Sequence, residues 1–146
     1  MKSTPLFEAA GVIEAPVDRV ERLLLAVRPG PVGADNVWLL AEHGGVVAGG
    51  PERFTLSTPV HTMTVEVREH TIAFQGGWWY RGEYAVEPHP EGALLTHRVH
   101  NVATRGRWGV PLANRFFLGF DRSASDGFTM GLRRIGDELG CRTRLL

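Results

Sequence analysis

Hydrophobic residues recur at helical spacing through the last third of the chain and alternate with polar residues through its middle. Between about residues 111 and 139 the apolar positions fall on one side of a helix; they are Phe117, Phe120, Ala124, Phe128, Leu132, Ile135 and Leu139. Gly127 and Gly131 border this stripe, where larger side chains would normally close a core. The two glycines favour either room for a ligand beside the helix or a close contact between helix and sheet.

A strand, a short helix and then a series of strands precede the terminal helix. Residues 6–13 have a strand pattern, and Ala15-Pro16 predicts the start of a helix. N–H groups in the first turn of a helix have no partner within the helix, so the missing N–H of proline costs nothing there. The Pro- and Gly-rich residues 28–33 end that helix. Strand-like segments separated by turn residues follow at 37–42, 46–48, 53–58, 60–68, 71–74, 78–87 and 93–103. This spacing predicts an antiparallel meander of about six strands, and therefore an α+β fold.

The composition is that of one soluble globular domain spanning residues 1–146, with 43% hydrophobic and 22% charged residues. A formal net charge of 0 argues against nucleic acid as a partner. Cys141 is the single cysteine, which excludes an internal disulfide and, without a signal-peptide pattern, predicts the cytoplasm. The apolar runs are too short to insert into a membrane. The oligomeric state, monomer or homodimer, stays open.

Three segments in a fixed order match a known structural pattern. Ile13-Glu14-Ala15-Pro16 is similar to a strand-to-helix opening, residues 82–99 are similar to a penultimate hairpin, and residues 115–139 are similar to a terminal helix. Together these segments resemble the START-like, Bet v 1-like superfamily of polyketide cyclase/dehydrase and lipid-transport proteins. The resemblance covers nearly the whole chain. It departs from the family at residues 28–33, where a second short helix is common.

The resemblance implies a helix-grip fold, in which a curved antiparallel sheet wraps around a long C-terminal helix and encloses an internal apolar cavity. It implies a small hydrophobic ligand, aromatic or polyketide-like, held without a cofactor. Some members cyclise or dehydrate their ligands, so acid–base catalysis is one expected activity. The alternative is a non-catalytic carrier or sensor of a lipid-like molecule. A third interpretation, an interaction module using exposed tryptophans, requires a filled cavity.

Polar residues that could perform such chemistry lie on the last hairpin and the terminal helix. Pairing the hairpin strands around residues 88–92 predicts that Arg98 and His100 face inward, beside Tyr80 and Tyr84. Arg98 would then anchor a carboxylate, enolate or phenolate, and His100 would act as acid or base. Asp121 falls inside the apolar stripe of the helix and could join them. The alternatives are a structural cluster and a solvated aspartate, and a one-residue register error would exchange the pairings.

The remaining candidate site residues are apolar or aromatic side chains expected to line the cavity. They are Trp78, Tyr80, Tyr84, Phe54, Met63, Val65, Phe74, Phe117, Phe120, Ala124, Gly127 and Phe128. No metal site is expected, because His97 and His100 face opposite sides of a strand and no recognised metal-ligand motif occurs.

Overall fold

A computed structural model describes residues 5–76, 80–102 and 120–146, with the side chains of the terminal helix described from residue 124 onward. The elements in chain order are β1 (Phe7–Ile13), α1 (Val17–Leu24), β2 (Gly30–Pro31), a 3-10 helix (Trp38–Leu40), β3 (Val46–Gly49), β4 (Arg53–Ser57), β5 (Thr62–Arg68), β6 (Thr71–Gly76), β7 (Tyr80–His89), β8 (Gly92–Asn101), α2 (Phe120–Leu139) and β9 (Thr143–Leu145). The described strands form one nine-stranded antiparallel sheet in the order β2-β3-β4-β5-β6-β7-β8-β1-β9. The predicted α+β class and C-terminal helix are confirmed.

The two α-helices of the described residues pack on the same face of the sheet, which we call the inner face. One buried cluster joins Val20 and Leu24 of α1 to Phe128 and Leu132 of α2 and to Leu95 of β8. A second cluster covers the other half of this face, and its buried members are Val37, Val47, Phe54, Leu56, Val65, Ile72 and Phe74. The predicted inward positions in β4, β5 and β6 are therefore confirmed. Alternation along the strands leaves the opposite, outer face to polar and small side chains.

A glycine in β1 sets the distance between α2 and the sheet. A Cβ atom at Gly11 would overlap the Leu132 side chain and lie 3.1 Å from the Arg144 backbone oxygen. By contrast, Gly127 is exposed, and a Cβ there would meet no atom within 4 Å. The close approach of helix and sheet therefore depends on a glycine in the strand. Of the two alternatives for Gly127, a close contact with the sheet is not observed.

The β7–β8 hairpin corrects the predicted register by one residue. Tyr84 is paired with His97, whereas Glu83 is paired with Arg98. Strand β7 continues through Pro88 and His89, so the connection is shorter than predicted. Pro88 fits there because β6 pairs with β7 only as far as Ala85, and no β6 partner needs its missing N–H. Arg98 and His100 consequently lie on the outer face, and their predicted inward placement is wrong.

The predicted strand at residues 37–42 is also wrong. Val37 has a left-handed backbone (φ 52°), and the 3-10 helix follows it. The fully buried Asn36 directs this path: its side chain accepts a hydrogen bond from the Arg28 N–H (2.9 Å) and donates to the carbonyls of Arg28 (2.9 Å) and Pro31 (3.0 Å). Trp38 is thereby buried, and the Arg134 guanidinium of α2 lies 4.7 Å from the centre of its ring.

Two short edge strands, β2 and β9, were not predicted. The predicted start of the terminal helix, before Phe120, lies outside the described residues. Among the described residues, no helix is both long and apolar enough to cross a membrane.

Adding a methyl group at Gly11 tests the contact between α2 and the sheet. Gly11→Ala should lower the free energy of unfolding by about 1–3 kcal/mol, because the new Cβ overlaps Leu132. The matched change Gly127→Ala, in exposed helix, should instead raise stability by roughly 0.5–1 kcal/mol. Urea unfolding of both variants measures the difference. Equal stabilities of the two variants would contradict this packing.

Candidate ligand-binding site

Aromatic rings from four strands and α2 meet on the inner face. The Tyr84 ring stacks on the His97 imidazole, with centroids 4.1 Å apart and planes 16° apart. The Phe128 ring is also parallel to the imidazole, with centroids 6.1 Å apart and planes 4° apart. Phe7 approaches His97 edge-on at 6.0 Å, and Phe74 approaches Tyr84 edge-on at 6.2 Å. These five residues, here called the aromatic cluster, fasten the terminal helix to the centre of the sheet.

His97 is the titratable member of the aromatic cluster, and its residue is only 6% exposed. Its Nδ1 lies 3.1 Å from the backbone oxygen of Glu83. A carbonyl oxygen only accepts hydrogen bonds, so Nδ1 is protonated and donates. Burial lowers the pKa of His97, and this hydrogen bond opposes the effect without cancelling it. The imidazole is therefore neutral at physiological pH, with its acceptor lone pair on Nε2.

Tyr84 of the aromatic cluster and Tyr80, which lies outside it, both keep their phenolic protons. Burial raises the pKa of both Tyr80 and Tyr84 above the usual value for tyrosine. The Tyr80 ring lies over Gly82, where a Cβ atom would overlap the phenol oxygen. Gly82 thus creates the space in which the Tyr80 side chain lies. Both phenols can donate hydrogen bonds across the whole physiological pH range.

Next to these rings, the inner face has a pocket of about 350 Å³, here called the Tyr80 pocket. Its lining residues are His61, Met63, Phe74, Gly76 and Tyr80. The walls come from β5, β6 and β7 and from the residue just before β5. Apolar side chains with a few polar groups at this size are typical of small-molecule sites.

A second pocket, here called the Val60 pocket, adjoins the first, has a volume of about 340 Å³ and shares His61 and Met63 with it. Its lining residues are Leu40, His43, Gly44, Leu56, Thr58, Pro59, Val60, His61 and Met63. The 3-10 helix supplies Leu40, whereas the β4–β5 turn supplies Thr58, Pro59, Val60 and His61.

The turn between β4 and β5 is held by the Thr58 side chain. The Thr58 hydroxyl donates to the His61 carbonyl (3.0 Å) and accepts from the His61 N–H (3.1 Å). The Thr58 N–H also donates to the His61 carbonyl, at 2.9 Å. These bonds fix the backbone of His61 where the two pockets meet. They also leave Val60, at the tip of the turn, 84% exposed.

The predicted catalytic residues do not meet on the inner face. Arg98 forms an ion pair with Glu8 on the outer face, and His100 Nε2 lies 3.8 Å from Glu83 Oε2. Both therefore point away from α2, because direct cross-strand partners share a face. The side chain of Asp121 lies outside the described residues. Arg98 and His100 are therefore not part of a catalytic set on the inner face with Asp121, as the sequence had predicted.

The outer face instead has a compact group of hydrogen-bonded charges centred on Arg81. Its guanidinium donates to Glu83 (2.9 Å), Gln75 (2.9 Å) and Glu66 (3.2 Å). The hydrogen bond from Arg81 lowers the pKa of Glu66 below its usual range. Its polar groups are engaged with one another, so this group is a structural ion-pair network.

The predicted ligand-contacting residues divide into several groups. Met63, Phe74 and Tyr80 line the Tyr80 pocket. The remaining placements are as follows: Tyr84 and Phe128 belong to the aromatic cluster, Phe54 and Val65 are buried in the second core cluster, Ala124 is half-buried and Gly127 is exposed. Trp78, Phe117 and the side chain of Phe120 lie outside the described residues.

Sequence reasoning missed His97, Leu40 and Val60, and it did not include His61 among the candidate site residues. With the correct register, His97 would have been identified as an inner-face residue, because it lies on the same side of β8 as Leu95 and Val99. Leu40 and Val60 reach the site through a 3-10 helix and a turn, which hydrophobic periodicity does not identify. Within the described part of the chain, no group of three or more His, Cys, Asp or Glu side chains could hold a metal ion.

No family model matches the chain, and neither a curated protein nor a solved structure is significantly similar to it. The functional interpretation therefore depends on the two pockets and the aromatic cluster.

The lowered pKa of His97 predicts that the folded protein loses stability at acidic pH. Because folding lowers this pKa below its usual value of 6.5, the unfolded chain binds the proton at a higher pH than the folded chain. The contribution of His97 is therefore complete above pH 6.5 and declines as pH falls towards the folded-state pKa. His97→Phe, which keeps an aromatic ring, should remove this part of the pH dependence.

Chemical unfolding between pH 7.5 and pH 5 measures the effect. The parent should lose more stability over this interval than His97→Phe does. His43→Phe, at an exposed histidine, is the matched control and should behave as the parent. Parallel curves for the parent and His97→Phe would show that the imidazole is not held neutral by burial.

Proposed function

We propose that this protein binds a small hydrophobic molecule with an aromatic part in the Tyr80 pocket. The observation that supports this most strongly is the pocket itself, about 350 Å³ in volume and lined by Met63, Phe74 and Tyr80. An engineered cavity of roughly 150 Å³ is already large enough for benzene, so a substituted ring fits this volume. The thioether of Met63 adapts its shape to a ring and makes favourable sulfur–aromatic contacts.

The proposal includes the helix-grip arrangement and the resemblance to polyketide cyclase and lipid-transport proteins. A nine-stranded antiparallel sheet with both helices on one face is compatible with that arrangement. The aromatic cluster supports it further, since it packs the terminal helix against the sheet beside the pocket. We take the ligand site to be an internal cavity between sheet and helix.

Conversion of the ligand is a second candidate function, supported by one specific feature of the Tyr80 pocket. A histidine and a tyrosine, His61 and Tyr80, both line it. The Tyr80 phenol stays protonated and can polarise a ligand carbonyl, while a neutral imidazole can accept a proton. Acid and base on one pocket suit cyclisation or dehydration. The non-catalytic alternative is a carrier or sensor that uses the same two groups for orientation.

A tryptophan at Met63 should block binding, because Met63 belongs to both pockets. The parent should bind 2-naphthol with 1:1 stoichiometry in titration calorimetry, and Met63→Trp should weaken binding by about 10-fold or more. Met130→Trp makes the same chemical change at an exposed position of α2, and should bind as the parent. Equal affinities for Met63→Trp and Met130→Trp would contradict the assignment of the pocket.

Replacing His61 distinguishes the enzyme from the carrier. If the protein transforms its ligand by proton transfer, His61→Gln should slow turnover by roughly 10²–10⁴-fold and leave affinity nearly unchanged. Mass spectrometry of a candidate polyketide after incubation measures conversion. A carrier would return every bound ligand chemically unchanged, and His61→Gln would then alter affinity alone.

A further inference from the structure

The two pockets differ in chemistry along one continuous wall. At one end, Phe74 and Tyr80 provide aromatic surface. At the other end, Leu40, Leu56 and Val60 provide aliphatic surface. An aromatic ring packs best on aromatic and thioether groups, whereas a flexible hydrocarbon chain needs only apolar area. The two ends are therefore suited to different parts of one molecule.

The junction between the pockets consists of His61 and Met63, which line both. Met63 is unbranched and adjustable, so it can pack against the point at which a ring joins a chain. The imidazole of His61 provides a hydrogen-bonding group beside the ring, and the Tyr80 phenol provides another. A hydroxyl or carbonyl on the ring would find a partner at either position.

The volumes support occupation of both pockets by one ligand. Each pocket alone, at about 350 Å³ and about 340 Å³, is at the lower limit of typical ligand sites. The Thr58 hydrogen bonds hold the backbone of the turn that presents Val60 at the edge of the second pocket, and the exposed Val60 side chain leaves apolar surface for a chain to cover. A compact ring system in the Tyr80 pocket would leave the apolar side chains of the Val60 pocket exposed to water.

Resting on the proposed function, we infer that the ligand is an alkyl-substituted aromatic molecule: its oxygenated ring lies in the Tyr80 pocket, and its unbranched chain passes Met63 into the Val60 pocket. The chain provides affinity in proportion to its length, because each buried methylene is removed from water. The ring and its oxygen substituent fix the orientation through Tyr80 and His61. This defines the substrate class more narrowly than a general hydrophobic ligand.

A series of 4-alkylphenols tests the inference by titration calorimetry. Affinity of the parent should rise by roughly 2- to 4-fold per added methylene from 4-ethylphenol to 4-hexylphenol. Leu40→Trp fills the Val60 pocket, so it should abolish this gain while leaving 2-naphthol affinity within about two-fold of the parent. Leu146→Trp, at an exposed leucine, should keep both properties.

A second pair of variants tests the chain end without filling it. Val60→Asp, on the exposed turn, should reduce the gain per methylene, whereas Val46→Asp, at another exposed valine, should not. This pair decides the question if Leu40→Trp fails to fold.

The outcomes separate this inference from the function on which it rests. Suppose that the parent binds 2-naphthol but its affinity for the 4-alkylphenols does not change with chain length. The alkyl-aromatic assignment is then overturned and the proposed function stands. The same conclusion follows if both Leu40→Trp and Val60→Asp keep the full gain per methylene. If 1-hexanol binds as tightly as 4-hexylphenol, the ring end of the assignment is overturned. If 2-naphthol does not bind to the parent, the proposed function is overturned together with this inference.

Discussion

The His97 imidazole packs against the rings of both Tyr84 and Phe128, and this contact determines how the last hairpin meets the terminal helix. Strand side chains alternate, so a shift of one residue in β8 would replace His97 with Arg98. A guanidinium enclosed by aromatic rings would lose its hydration, whereas a neutral imidazole donating to the Glu83 carbonyl is satisfied. The contact therefore fixes register, the identity of the inner face and the position of α2 together.

The two halves of the inner face have different roles as a consequence. Where α1 and α2 cover the sheet, Val20, Leu95 and Leu132 belong to one buried cluster, and Gly11 lets α2 approach closely. Towards the β4–β5 turn the wall continues through Met63 but is not filled, and the two pockets lie there. The second core cluster packs the rest of this half, so only its margin, around Met63 and the β4–β5 turn, provides surface for a ligand. The outer-face ion pairs around Arg81 take no part in the site.

Periodicity predicted the middle of the sheet well because inward residues of β4, β5 and β6, such as Phe54, Val65 and Phe74, alternate clearly with polar ones. It could not determine the β7–β8 register, since proline is typical of turns, whereas Pro88 lies inside β7, beyond the part of that strand that pairs with β6. It also gave no sign that the buried amide of Asn36 would turn residues 37–42 away from the sheet. The β7–β8 register and the path of residues 37–42 both depend on tertiary contacts, which a local pattern does not contain. The register decided that His97, and not His100, reaches the inner face.

Methyl NMR provides the most direct test that the site lies at Met63. The chain has three methionines, of which Met63 lines both pockets and Met130 is exposed on α2. In protein labelled with ¹³C at the methionine methyl groups, titration with 2-naphthol should shift the Met63 signal through the ring current of the bound aromatic, and Met130→Leu would identify the second signal. We expect saturation of the Met63 shift at one equivalent while Met130 stays unchanged. An unmoved Met63 signal under conditions where calorimetry detects binding would place the ligand elsewhere and contradict the account.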